Sequence, residues 1–504
     1  MRVDVGMAVG LATVALVIHI ATNGFGPYGI HRDELLYLSM GKHLQLWRMD
    51  FPPFIAIAAN VSRAVGGDSI VAIRLLPALA HAALVVLAAL IARELGAGRA
   101  GQGLSGVAVL TSPLFLRAGG MLQPVVFDQL WWTVALFALL RLVNSGNGAW
   151  WLAVGAALGI GLLTKFSIGF IGVPIVAAVL LTGERRWLST RWPWLAVLLA
   201  LTIGAPSLVG QLALDFPVRA QMAELQGSQL LRMTYGAFIG EQLLHGPSFV
   251  LAVLGCAALI RGRLDRYRVV GLSCLGAFAL LLVTHGKGYY VGPIYPTFFA
   301  AGATFLAMLP RPRLRVALLA ATLAVIVLYN AIAFPIAVPF LPPAGLARYA
   351  ARLGMTAATQ TNMGKQLALP QDFADMLGWR EMVRAVADTY ETIPADERGD
   401  VVVIGANYGE AGALEFYGPA MGLPPVVSTA GSFWFFGPGE RPGKVVVTLG
   451  MEKSDLEQFY GDIREVSRFD SPWMVPEERN APILIGRRQK KTLQALWPRQ
   501  SGRN

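Results

Sequence analysis

Residues 5–23 read VGMAVGLATVALVIHIATN, and residues 26–54 read GPYGIHRDELLYLSMGKHLQLWRMDFPPF. A helix that crosses a bilayer needs about 20 mostly apolar residues, and the first stretch meets that length. No small-residue cleavage site follows His19, so the run is read as a retained anchor, not a signal peptide. The second stretch sets His31, Arg32, Asp33, Glu34 and Asp50 directly beside it. Charge is costly near lipid, so such a cluster lies outside the bilayer or serves a function. A membrane helix followed by a charged edge loop is therefore the unit to look for elsewhere in the chain.

The pattern recurs. Hydropathy and basic flanks give further candidate spans at 70–92, 101–117, 126–143, 149–164, 166–182, 193–213, 246–261, 268–284, 290–309 and 314–335, eleven with the first. The whole chain agrees: 504 residues, 55% hydrophobic and 14% charged, is a polytopic membrane composition. Four basic loops, ARELGAGR (92–99), GERRWLSTR (183–191), RGRLDRYR (261–268) and RPRLR (311–315), fall on one side. The positive-inside rule makes that side cytoplasmic. It also accounts for the net charge of +11 without any nucleic acid. The opening loop, the 118–126 connection, the 214–245 loop, THGKGYY (284–290) and everything after about residue 336 then lie outside. Cys256 and Cys274 sit in apolar runs and suggest neither a disulfide framework nor a metal site.

After FPIAVPFLPPAG (334–345) the composition shifts. The expected division is a transmembrane domain over 1–340 and an extracytoplasmic α/β domain over 341–504. VVVIG (401–405), KVVVTLG (444–450) and APILIG (481–486) read as buried strands. FADMLGWREMVRAVADTY (373–390) reads as an amphipathic helix, and SDLEQFYGDI (454–463) opens on a capping box of Ser454 and Glu457. Gly405, Gly409 and Gly412 in IGANYGEAGALEFYG do not form a dinucleotide fingerprint and are read as strand-to-helix turn chemistry. No phosphate-binding loop, zinc-ligand spacing or serine-nucleophile elbow occurs.

The residues able to carry chemistry gather at the outer edge. Asp33 and Glu34 point about 100° apart on a helix, so one of them serves a given centre and the other supports it. Asp33, packed among Tyr28, Leu35, Leu36 and Tyr37, is the candidate general base. Asp50 precedes the rigid Pro52-Pro53 pair, a setting that suits a general base or a metal ligand; the plainer reading is a solvated loop charge. Asp128 sits about one turn inside its span, where an acid needs a partner or a wet cavity. Arg117 is the candidate partner; the plainer reading of the two is a structural ion pair. His285, Lys287, Tyr290 and Tyr295 crowd the mouth of two spans, where Lys287 and His285 could hold a phosphate. The plainer reading there is a snorkelling lysine in an aromatic belt. Lys165 is a further outer cation, uninformative alone, and Arg74 reads as a helix-packing residue.

In order along the chain, HRDELLYLSMGKHL, DFPPFIAIAANVSRAVGGDSIVAIRLLPAL, SPLFLRAGGMLQPVVFDQLWW, GIGLLTKFSIGF and KGYYVGPIYPTFFAAGA resemble the GT-C membrane glycosyltransferases of glycosyltransferase family 39, over roughly residues 25–305. That family includes protein mannosyltransferases, lipid A aminoarabinose transferases and galacturonic-acid transferases. The resemblance implies a polytopic α-helical GT-C fold with a soluble α/β domain. It implies inverting transfer of a sugar from a polyprenyl-phosphate donor to a lipid, glycan or protein acceptor outside the inner (plasma) membrane. Asp33 matches the family's first-loop base, Asp50 the acidic position tied to the donor or a metal, and Asp128 the second aspartate. Some aminoarabinose transferases carry a lysine before the Pro-Pro pair; here that position is Phe51, which shifts phosphate binding toward Lys287. The rival reading is a transporter or flippase of lipid-linked sugars, which should show charges near mid-membrane and discontinuous helices.

Overall fold

The computed structural model describes residues 4–228, 230–361 and 364–497. Every predicted span is helical. The body runs through Val5–Phe25, Leu75–Glu94, Arg99–Thr111 with Pro113–Gly119, Pro124–Ser145, Trp150–Thr164, Gly169–Leu181, Trp192–Ala213, Ser248–Arg261, Arg268–Val283, Tyr295–Ala307 and Pro312–Ala337. Their lengths differ more than the sequence suggested. Among the described residues six helices are long and apolar enough to cross a membrane, or eight if each of two sharply bent pairs is one span. The rest are shorter; a 13-residue helix such as Tyr295–Ala307 rises only about 20 Å against a hydrocarbon core of about 30 Å. That helix is buried on nearly all sides, so it packs within the bundle.

Small residues set the closest packing. Gly155 and Gly159, one turn apart, face Ala196 and Ala200 of Trp192–Ala213, and a Cβ on Gly159 would stand 2.9 Å from the Ala200 carbonyl oxygen. Such small-residue seams replace hydrophobic driving force within lipid. The basic loops converge at one end of the bundle. Arg141 pairs with Glu94 at 2.8 Å, Tyr267 donates to Asn144 at 2.8 Å, and Arg263 donates to the Met308 carbonyl at 2.6 Å. Thr182–Arg185 share a groove with Asp265, Arg266 and Arg268.

Past Ala337 the chain enters Pro343–Arg352 and then an α/β unit at the other end. Its strands are β1 (Val401–Gly405), β2 (Val426–Val427), β3 (Val445–Leu449), β4 (Tyr460–Phe469) and β5 (Ala481–Gln489). They lie in the order β2-β1-β3-β5-β4, parallel on the β1 side and antiparallel on the β5 side. The three predicted strands are β1, β3 and β5. Two local expectations fail. The 373–390 helix divides into Gln371–Ala374 and Trp379–Glu391, because Gly378 turns left-handed at φ 81°. The Ser454 capping box does not form: the helix is only Lys453–Glu457, begins after Glu452 without a side-chain cap, and gives way to β4. Strand β4 was hidden because it is a charged sheet edge whose register shifts between Glu465 and Ser467, which breaks the period of two.

Candidate active site

The first edge loop folds into the helix Arg32–Lys42. His31 caps it: its side chain accepts from the Asp33 amide at 3.0 Å, while the Glu34 carboxylate accepts from the His31 amide at 2.7 Å. This double cap fixes which way each acid points. Glu34 turns inward and is fully buried against Arg74, with contacts of 2.9 and 2.7 Å, and also accepts from the Leu122 amide at 2.7 Å. Burial alone would raise its pKa; Arg74 and these amides outweigh that and hold it below the usual carboxylate value. Arg74 is thus the packing residue it was read as.

Asp33 turns the other way. Its Oδ1 accepts from the Tyr408 hydroxyl at 3.0 Å and its Oδ2 from Gln123 at 3.2 Å. Close by, a cleft is lined by Asp128, Gln129, Lys165, Tyr289 and Tyr290. Asp128 accepts from Trp132 at 3.0 Å and Ser167 at 2.8 Å, and feels the Lys165 charge. Lys165 lies 4.2 Å over the Tyr290 ring, and Lys287 is 5.8 Å from the Tyr289 ring. Burial draws the Lys287 ammonium below its ordinary pKa, while Tyr290, Glu241 and Asp33 pull the other way. Gln129 is buried with neither amide atom bonded to protein. Two carboxylates, Asp33 and Asp128, two lysines, the tyrosines Tyr289 and Tyr290 and an unpartnered amide therefore share one end of the bundle.

Several expected members lie elsewhere. Arg117 does not pair with Asp128. It faces the tail, where it meets Asp372 at 3.3 Å, the Ile336 carbonyl and the Phe373 ring. His285 is turned to the Met233 carbonyl at 2.9 Å and stacks on Tyr235. Tyr295 is buried, donates to Gln242 at 2.8 Å and packs on His245. Asp50 is buried and accepts from Ser432 of the tail at 2.7 Å. A divalent ion wants about six oxygen ligands. Asp50 offers one carboxylate and a hydroxyl, and among the described residues no three His, Cys, Asp or Glu side chains gather. Those residues do not fit such an ion.

Burial pushes the Asp50 carboxyl up to about 6, against the pull of Ser432. The folded state therefore holds the proton more tightly than the unfolded chain does. The stability this contributes is complete at low pH and is lost as pH rises from about 4 to about 6, a change of about 3 kcal/mol. Asp50→Asn keeps the Ser432 contact and does not titrate. We expect its thermal stability in detergent to exceed wild type above pH 6 and to lose the decline across that window. A wild-type profile would show that Asp50 is not held in this environment.

Lys165, Gln123 and Tyr408 complete the site, and none stood out alone. Lys165 sits in GIGLLTKFSIGF, which offered a clue, whereas Tyr408 lies 375 positions from Asp33 and gave none.

Residues 50–209 match the family described as dolichyl-phosphate-mannose-protein mannosyltransferase. No curated protein matches the sequence. Among solved structures, ArnT from Cupriavidus metallidurans bound to undecaprenyl phosphate is similar at TM-score 0.63 and 15% identity, over 96% of this chain and 98% of that one. Its apo state is similar at 0.62 and 16%, with the same coverage. Mycobacterial arabinofuranosyltransferase AftD is similar at 0.52 and 14%, over 96% of this chain and 42% of that one. Family match and architecture agree with the resemblance read from the sequence: the chain is a multi-pass membrane protein with the GT-C glycosyltransferase fold.

Proposed function

We propose that the chain transfers a sugar from a polyprenyl-phosphate donor to a hydroxyl of a lipid, glycan or protein acceptor, at the membrane face that carries the tail. The observation behind this is a cleft lined by Lys165, Asp128, Tyr289 and Tyr290, with a second cation, Lys287, and a hydrogen-bonded carboxylate, Asp33, beside it. Both lysines belong where a phosphate at headgroup depth would sit. Asp33 takes the proton of the acceptor hydroxyl as its oxygen attacks the anomeric carbon. The bond from that carbon to the phosphate oxygen breaks, and its electron pair leaves on polyprenyl phosphate, steadied by the two ammonium groups. One displacement inverts the anomeric centre. Asp128, engaged by Trp132 and Ser167, serves to hold Lys165 in place. The basic loops at the opposite end of the bundle argue that the tail is extracytoplasmic.

Purified protein given labelled polyprenyl-phosphate sugars should release polyprenyl phosphate and glycosylate an acceptor. A charge-assisted contact contributes about 1.5–3 kcal/mol, so Lys165→Ala and Lys287→Ala should each weaken donor binding by about tenfold or more. Wild-type donor affinity in both variants would refute the phosphate assignment, and no turnover with any donor would refute the function.

A further inference from the structure

We propose that the tail completes the catalytic centre, and that Tyr408 is its positioning residue, whose hydroxyl orients the Asp33 carboxylate. This rests on Asp33 being the general base. The tail helix Tyr408–Tyr417 lies along Arg32–Lys42 at backbone distance. A Cβ on Gly409 would stand 2.8 Å from Arg32 Cγ, and one on Gly412 would stand 3.0 Å from the Leu35 carbonyl carbon. Those glycines serve helix docking, where the sequence suggested only turn chemistry. The far end is tied too: Glu415 accepts from Lys42 at 2.9 Å and His43 at 2.8 Å.

The near end is built to hold one phenol. Asn407 caps the tail helix, accepting from the Gly409 and Glu410 amides at 2.8 and 3.0 Å, and donates to Glu478. Glu478 lies 3.6 Å from Arg32, whose guanidinium covers the Tyr408 ring at 4.4 Å. The ring lies under that cation, with its hydroxyl 3.0 Å from Asp33 Oδ1. Burial and the Asp33 charge push the Tyr408 phenol well above its usual pKa, so it stays a donor. The other charged or titratable groups that face Asp33 are Lys287 and Tyr289 from the 285–290 loop, Asp375 from the tail, and Arg32 and Tyr37 from its own helix.

The test is Tyr408→Phe, which removes one oxygen and leaves the packing. Losing the donor that faces the base should move the acidic limb of the pH–rate profile upward. We expect kcat to fall about tenfold, with donor KM within about twofold. Placing 3-fluorotyrosine at 408 keeps the bulk and strengthens the donor, so the limb should move down; this arm stands even where the Phe variant folds poorly. Unmoved limbs in both variants, or a raised KM with unchanged kcat, overturn the inference. Asp33→Asn in the same assay separates the layers. An inactive Asp33→Asn beside unmoved limbs refutes only the role of Tyr408, whereas an active Asp33→Asn refutes the base itself.

Discussion

Asp33→Asn is expected to slow sugar transfer by about 10²–10⁴-fold, the usual cost of losing a general base, with thermal stability close to wild type. The asparagine keeps the size of the side chain. Its oxygen can still accept from Tyr408, and its amide can meet the Gln123 amide once that group turns its oxygen inward. What it cannot do is take a proton. Donor affinity should hold, because the phosphate is assigned to Lys165 and Lys287. The measurement is kcat and donor KM beside a melting curve in detergent. A rate near wild type would remove Asp33 from the mechanism. A large loss of stability would mean instead that its hydrogen bond with Tyr408 holds the tail onto the membrane domain.

Each of the eleven apolar runs is helical, because lipid forces a spanning segment to declare itself in composition, whereas Phe54–Gly66 went unmarked. Apart from 149–164, visibly short for a span, which helices are short or bent was not legible, since length depends on neighbours that cover the remainder. In the tail, β1, β3 and β5 were visible as apolar runs, whereas β4 carries its charges outward on a sheet edge. The site divides along the same line. Asp33, Asp128, Lys287 and Tyr290 could be chosen as charges or rings at the mouths of spans. Orientation could not: Arg117, His285 and Tyr295 occupy the same kind of position and are engaged by other partners. Nor could the tail's share, because Tyr408 and Ser432 reach Asp33 and Asp50 only through tertiary docking.

Glu34 supplies the contrast to its neighbour. The sequence points the two adjacent acids about 100° apart and gives Glu34 only a supporting role. The structure gives it a different task. It is fully buried and accepts four hydrogen bonds, from Arg74 Nε and Nη2 and from the His31 and Leu122 amides. Arg74, equally enclosed, also donates to Asn23 and the Gly29 carbonyl. Only donors face Glu34, so the amide of a glutamine would meet a donor whichever way it turned. Removing one partner of a buried pair costs about 3–5 kcal/mol, because the other charge is left unpaired. Glu34→Gln should therefore lower the melting temperature and the folded yield severely, while Asp33→Asn should not. The depressed pKa of Glu34 fixes the sign with pH: its stabilisation is present above the unfolded carboxyl value and is lost as pH falls through the lower folded one. Combining Glu34→Gln with Arg74→Met removes the orphaned charge, and should recover part of the loss. A Glu34→Gln protein as stable as wild type would show that the pair does not anchor the first loop, and that the direction in which Asp33 points is set by the tail alone.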